Sequence, residues 1–315
     1  MNDKIKGYLL GAIAAATYGM NPLFALPLYK EGLSPDAVLF FRYLFAIPIL
    51  AIMIRARGRN FRIESADITP LAIFGLLFAL SSLALFRSYT YMNAGIASTL
   101  LFVYPIMVAV IMFLFFREKI TAQTLLCIVM ALGGIAMLFE GNDGHTLSLK
   151  GTLLVMASAL CYAIYIVGVN NCRLKEMATI KVSFYVLLFG WAVIAISSLV
   201  SGGFHLPSRW YMWFYLLMLA LLPTAVSLLC TTSAIKLIGA TPTAILGALE
   251  PVTALLFGVT IFDEVVTPRD WVGVVMIITS VTVIVAGGSI TSTLVRFRKM
   301  FPRLLPKAQN KNRRQ

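Results

Sequence analysis

Residues 88–116 read SYTYMNAGIASTLLFVYPIMVAVIMFLFF, a run without one charged side chain. The hydrocarbon core of a bilayer is about 30 Å thick and takes about 20 helical residues to cross. This stretch alone is long enough. Outward from it, the windows 7–29, 68–86, 120–139, 151–172, 182–204, 210–235 and 271–295 are also free of charge. Two more, 37–54 and 237–262, carry one charge each, Arg42 and Glu250. Little of the chain is left for a soluble domain, so its work is done in or across a membrane.

The composition says the same. Hydrophobic residues make up 60% of the chain and charged residues 12%, against about 25% charged in ordinary soluble domains. Lipid tolerates that surface only if the backbone bonds internally, as helices or as a closed barrel. Barrel strands alternate over about 10 residues, whereas these runs are longer and apolar on every face. The expectation is therefore an all-α integral membrane protein with ten transmembrane helices.

The formal net charge is +13, and its distribution carries a topology. With the N-terminus in the cytoplasm and the sides alternating, twenty basic residues fall inside. They are Lys4, Lys6, Arg55, Arg57, Arg59, Arg62, Arg117, Lys119, Arg173, Lys175, Lys181, Lys236 and eight from Arg296 onward. Only Lys30, Lys150, Arg209 and Arg269 fall outside. That bias places both termini in the cytoplasm. The surplus of charge is read as topology and as affinity for anionic headgroups, with lipid and a small-molecule substrate as partners and no nucleic acid. The tail 296–315 has no acidic residue and is expected to be disordered. The first span is too long for a cleaved signal segment, whose apolar core is about 7–15 residues. Cys127, Cys161, Cys172 and Cys230 lack metal spacing and read as small packing residues.

The chain repeats itself. Glu118 follows Pro105 by 13 residues, as Glu264 follows Pro251, and Thr121 and Thr267 then match in turn. Upstream, Gly7-Tyr-Leu-Leu pairs with Gly151-Thr-Leu-Leu and Tyr18 with Tyr162. Five helices in each part, 1–145 and 146–295, put the second part in upside down. Two inverted five-helix repeats with a midplane site are a carrier arrangement. Gly7, Gly11, Ala15 and Gly19 form a stripe that permits close helix approach. Pro22, Pro105, Pro223 and Pro251 interrupt spans one, four, eight and nine.

Several of these residues carry a family resemblance. Tyr18-Gly-Met-Asn21 resembles the Trp-Gly-x-Asn signature of EamA-type members of the drug/metabolite transporter superfamily, with Tyr in place of Trp. Ala94-Gly-Ile-Ala-Ser-Thr, Tyr104-Pro105 and Arg117-Glu118 are similar to that family's fourth-span pattern, and Leu249-Glu250-Pro251-Val252 with Glu264 to its ninth. The resemblance covers nearly the whole chain. It implies export of amino acids or similar small metabolites through a central cavity lined mostly by spans one, three, four, six, eight and nine.

Charges inside a membrane are costly and are functional candidates by default. Glu250 lies about 15 Å from the start of its span, at about 1.5 Å per residue, and fits either an ammonium ligand or a proton carrier. Arg87, near the outer end of span three, either snorkels or faces the cavity, where it would pair with Glu250 or grip a substrate carboxylate. Arg42 is expected to snorkel. Tyr18, Asn21, Tyr104, Tyr162 and Tyr165 are polar groups deep in spans one, four and six, each either ligand-facing or structural. Tyr104 holds the repeat position of Glu250. Trp210, Tyr211, Trp213 and Tyr215 read as an interfacial belt. Glu118 and Glu264 read as caps or loop-ordering groups.

No enzyme is expected. The chain has only His145 and His205, and no HExxH, GxSxG or P-loop motif. No catalytic residue, metal or cofactor is assigned. The reading is a secondary transporter working by alternating access, with a passive channel or lipid scramblase as the alternative. Two complete repeats make one copy sufficient in principle, with a dimer as the other option. The inside-positive bias and the lack of an organelle address point to a bacterial cytoplasmic (inner) membrane. Substrate and direction stay open.

Overall fold

A computed structural model describes residues 3–116, 122–139, 148–200 and 206–300. Arg117, Glu118, Lys119, Thr121, His145, His205, the boundary at 145 and the tail beyond Met300 lie outside the described residues. Every regular element among the described residues is helical. In chain order they are α1 Asp3–Gly19, α2 Asn21–Lys30, α3 Pro35–Ala56, α4 Ser65–Ser88, α5 Ala94–Leu101, α6 Tyr104–Phe116 and α7 Ala122–Phe139. The second part holds α8 Leu149–Asn170, α9 Thr179–Val200, α10 Trp210–Ala220, α11 Ser227–Ile238, α12 Ala240–Leu246, α13 Leu249–Ile261 and α14 Pro268–Met300. Among the described residues, seven segments are long and apolar enough to cross a membrane, with α1–α2, α5–α6 and α10–α11 each counted as one, and α7 and α13 are shorter apolar helices. The last helix runs five residues past the expected boundary at 295. Its nearest breaker is Pro302.

Local chemistry sets the helix starts and stops. Ser34 caps α3 by accepting from the Ala37 N–H at 3.2 Å, with Pro35 at the first position, where its missing N–H costs nothing. Glu64 and Asp67 form a reciprocal capping box on α4. Gly239, at φ 88°, ends α11 in a conformation that side chains resist.

Prolines mark the breaks. Pro22 stands at the start of α2, just after the turn at Met20. Pro105 is the second residue of α6 and Pro251 the third of α13. A first-turn N–H has no partner within its helix, so proline fits there. The break between α5 and α6 and the break between α12 and α13 fall at equivalent places in the two parts. Pro223 differs. It sits in a π-helical turn, Leu221–Val226, that joins α10 to α11, a widening that absorbs its missing hydrogen bond.

The two sequence halves interleave. The most extensive packing joins α4 to α8 and α9, α3 to α9, α1 to α11, α5 to α13 and α7 to α14, always one element from each half. Close approach makes this possible. A Cβ on Gly75 of α4 would meet Phe189 Cβ at 2.7 Å and the Gly190 backbone nitrogen at 3.1 Å on α9. Ser81 on α4 donates to the Ser158 carbonyl on α8 at 3.0 Å, and Ser158 donates back to the Ser81 carbonyl at 2.8 Å. Such reciprocal pairs tie helices together where apolar side chains gain little by leaving lipid.

Candidate functional site

The site starts at the break before α13. Turn residues Gly247 and Ala248 end one helix and begin another, so Glu250 falls in the first turn of α13. Among the described residues its carboxylate has no hydrogen-bond partner, and it lines a cavity. The first helix runs hard against this turn. A Cβ on Gly19 would lie 2.5 Å from the Glu250 carbonyl oxygen and 2.8 Å from Thr253 Cβ. Only glycine permits that approach, and Tyr18 beside it lines the same cavity as Glu250. The stripe Gly7, Gly11 and Gly19 thus faces α11, α12 and α13.

Tyr104 opens α6 as Glu250 opens α13, and both line the same cavity. Tyr104 meets Tyr162 edge-on at 4.8 Å, and Tyr162 stacks on Tyr165 at 5.9 Å. Phe78 closes this wall 5.4 Å from Tyr165. Tyr18, Tyr104, Tyr162, Tyr165, Glu250 and Pro223 are therefore brought together around one space of about 600 Å³. Its lining also includes Thr224, Ser227 and Thr231. The lining takes in α3 and α9 as well as spans one, three, four, six, eight and nine.

The cavity extends from this polar band toward Asn170, Thr179 and Ile235. That end of the bundle carries basic loops. Arg173 pairs with Glu64 at 2.5 Å and with Asp67 at 3.6 Å, and Lys181 and Tyr185 donate to the backbone carbonyls of Arg62 and Phe61.

Neither arginine sits as the sequence suggests. Arg87 does not reach Glu250 or the cavity. Its Nη2 donates to Asp36 Oδ1 at 2.6 Å and its Nε to Asp36 Oδ2 at 3.2 Å. Ser197 Oγ donates to Asp36 at 2.7 Å and accepts from Arg87 at 3.1 Å. Asp36 sits in the first turn of α3 and Arg87 in the last turn of α4, each favourably placed on its helix dipole. An acid and a base at adjacent helix ends pair, and this corrects the expectation for Arg87.

Arg42 is corrected the other way. It does not snorkel: it is 7% exposed and lines the cavity. Its Nε donates to Thr224 Oγ1 at 3.4 Å, and its guanidinium lies 5.3 Å from the Phe86 ring. None of the ion pairs among the described residues includes Arg42 or Glu250. Reading the sequence missed Arg42 as a cavity group, together with Tyr43, Ser183 and Thr224. The available signal was Asp36, an acid near Arg87's end of the bundle that left Arg42 as the arginine without a partner.

Asn21 is buried but is not among the cavity-lining residues. Its Nδ2 donates to the Tyr18 carbonyl at 2.9 Å, and its Oδ1 has no partner among the described residues. It holds the junction between α1 and α2. Away from the basic end, Glu264 accepts from the Ala94 N–H at 2.8 Å and the Gly95 N–H at 3.2 Å, capping α5 from the other half. Burial pushes its carboxyl above the usual range, and those two N–H groups pull it back. Thr267 and Asp270 cap α14 reciprocally, at 2.9 and 3.2 Å. Trp210 is 82% exposed, and Trp213 packs edge-on against Phe41 at 5.3 Å. Among the described residues no group of three metal-ligating side chains occurs.

The model of a family described as the EamA-like transporter family matches residues 5–140 and again residues 149–286. A protein of Archaeoglobus fulgidus named as an uncharacterized transporter is 27% identical over 272 residues, covering 86% of this chain and 93% of its own length. An uncharacterized transporter of Clostridium kluyveri is 23% identical over 288 residues, covering 87% and 91%. The uncharacterized transporter YcbK of Bacillus subtilis is 22% identical over 274 residues, covering 84% and 88%. A solved structure described only as the crystal structure of a protein has a TM-score of 0.62 at 16% identity, over 93% of this chain and 98% of that one, and shows the fold alone.

Proposed function

This chain belongs to the EamA-like transporter family, and from that premise we propose that it is a secondary carrier exporting amino acids or similar small polar metabolites by alternating access. One observation carries the reading. A cavity of about 600 Å³ holds an acid, an arginine and a cluster of tyrosines inside an otherwise apolar helix bundle. Intramembrane charges of this kind mark substrate pathways.

The rest of the mechanism follows from placement. Among the described residues seven α-helices fall in each part, 3–139 and 149–300; read as five crossings each with the basic loops inside, the cavity mouth opens to the cytoplasm. The Asp36–Arg87–Ser197 cluster and the Glu264 cap on α5 close the opposite end. Cargo enters from the cytoplasm, and the outer contacts then part while the inner ones form. The moving bodies are helix groups drawn from both halves, because α4, α8 and α9 pack together too closely for the sequence halves to separate. The host is a bacterial cytoplasmic membrane, and one copy of the chain holds a whole cavity.

Purified protein in liposomes loaded with a mixed pool of amino acids and small metabolites tests the reading. Saturable, counterflow-stimulated release of a few compounds, followed by mass spectrometry, is expected. Release that never saturates, or flip of labelled lipid, would show a channel or a scramblase instead.

A further inference from the structure

One cavity residue carries a charge that nothing around it balances. Arg42 lines the cavity from α3 and is 7% exposed. Asp36, the acid on the same helix, is already held by Arg87 through two hydrogen bonds. Glu250 lines the same cavity, but none of the ion pairs among the described residues includes it or Arg42. A buried carboxyl group sheds its charge by taking up a proton. A guanidinium does not give up its proton in proteins. The charge that persists in this interior is therefore positive, and leaving it without a counter-ion is costly. Among the described residues no other arginine, lysine or histidine lines the cavity.

We propose that the cavity binds a small monocarboxylate with an apolar or aromatic body, its carboxylate held by Arg42. The proposal rests on the carrier reading above and narrows the cargo to one charge type. The setting of Arg42 fits the task. Its Nε donates to Thr224 Oγ1 at 3.4 Å, and the Phe86 ring lies 5.3 Å from the guanidinium. Its terminal nitrogens make no hydrogen bond among the described residues, which leaves them for a carboxylate in the two-point geometry that a guanidinium favours. One fixed positive charge balances one negative charge. A phosphate monoester carries about 1.5 to 2 negative charges at neutral pH and would leave part of that unmatched. The wall for the body begins beside the charge. Tyr43, the next residue on α3, also lines the cavity, and its ring centre is 6.2 Å from that of Phe78. Phe78 is 5.4 Å from Tyr165, and Tyr165 is 5.9 Å from Tyr162. This row of rings offers edge and face contacts to a benzene ring or a short alkyl chain.

The test measures binding to the full chain in detergent by calorimetry. The probes are benzoate, phenylacetate, phenylpropionate and hexanoate, each beside its uncharged amide. At least one carboxylate should bind about 10-fold or more tighter than its amide, the value of one charge-assisted contact. Arg42→Gln should bring carboxylate and amide to equal affinity. The ratio is taken within one variant, so differences in folded amount cancel. If Arg42→Gln does not fold, Arg42→Lys decides, because it keeps the charge and loses the planar fork. Any fall in the ratio then supports the assignment, and an unchanged ratio overturns it. No carboxylate preference in the folded wild type, or a preference that survives Arg42→Gln, also overturns it. So does an advantage of about 10-fold for a differently charged analogue. Phenylalanine ahead of phenylpropionate would mean that the site demands an ammonium group. Phenyl phosphate ahead of benzoate would mean a second positive charge. Benzylamine ahead of benzamide would hand the selectivity to Glu250. The carrier reading is tested separately by release from the mixed pool. Saturable release from a protein without carboxylate preference removes the anion site and leaves the carrier. Carboxylate preference without saturable release of any compound keeps the anion site and removes the carrier.

Discussion

Arg42 and Arg87 sit on neighbouring helices, one near the start of α3 and one near the end of α4, and their surroundings differ completely. Arg87 is 41% exposed and grips Asp36 with two hydrogen bonds, a closed pair that joins α3 and α4 to Ser197 of α9. Arg42 has one long hydrogen bond, an aromatic face and a cavity. The difference teaches that depth along a span does not decide what an intramembrane arginine does. An acid on the adjacent helix end turns it into a fastener, and the lack of one leaves it facing the cavity.

The sharpest way to break this comparison is to neutralise each arginine in turn. Arg42→Gln should slow transport by about 10–100-fold, the value of one charge-assisted contact of about 1.5–3 kcal/mol. Arg87→Gln should leave substrate preference unchanged and lower the unfolding temperature in detergent. Initial counterflow rates beside thermal unfolding separate the two, and a change of substrate preference in Arg87→Gln would erase the distinction. Next in size is the approach of α1 to the Glu250 turn. Gly19→Val should force these helices apart at about 1–3 kcal/mol and slow transport about 10-fold without touching either charge. Wild-type rates in a folded Gly19→Val protein would mean that this approach does not set the site.

Smaller still is the fastener itself. Asp36→Asn should cost about 1–2 kcal/mol, because the pair is half open to solvent and screened. Adding Arg87→Gln should recover part of that loss in a double-mutant cycle. The smallest effect belongs to Glu264. Losing the cap on α5 should cost about 0.5–1 kcal/mol. Burial raises the Glu264 carboxyl, so the folded protein holds that proton more tightly than the unfolded chain does. Its contribution is greatest in acid and declines as pH rises from the ordinary carboxylate range through the raised value. Glu264→Gln should flatten that part of the profile of unfolding temperature against pH.

Much of the architecture was legible in the chain. Long charge-free runs, the offset between Pro105 and Pro251 and the paired Tyr104 and Glu250 all describe local or periodic chemistry, and the helix breaks fall at those prolines. Tyr18, Tyr162 and Tyr165 were candidates by depth alone, and the structure sets them on the cavity. Arg42, Arg87 and Asn21 were not legible in this way. These helices are apolar all round, so no polar stripe marks the face that turns inward. The phase of each helix about its axis depends on its neighbours, and the nearest neighbours here come from the other half of the chain.

The sequence by itself determined that this protein is helical and built for a membrane, and where its spans break. Those properties follow from transfer free energies and backbone bonding summed along short segments. Only the tertiary structure decided which charges meet. Asp36 and Arg87 are 51 positions apart and pair, and Arg42 finds Thr224 at a separation of 182. The packing of glycine and serine faces between the halves sets those distances. An ionic contact depends on ångströms in space, which no local run of residues specifies.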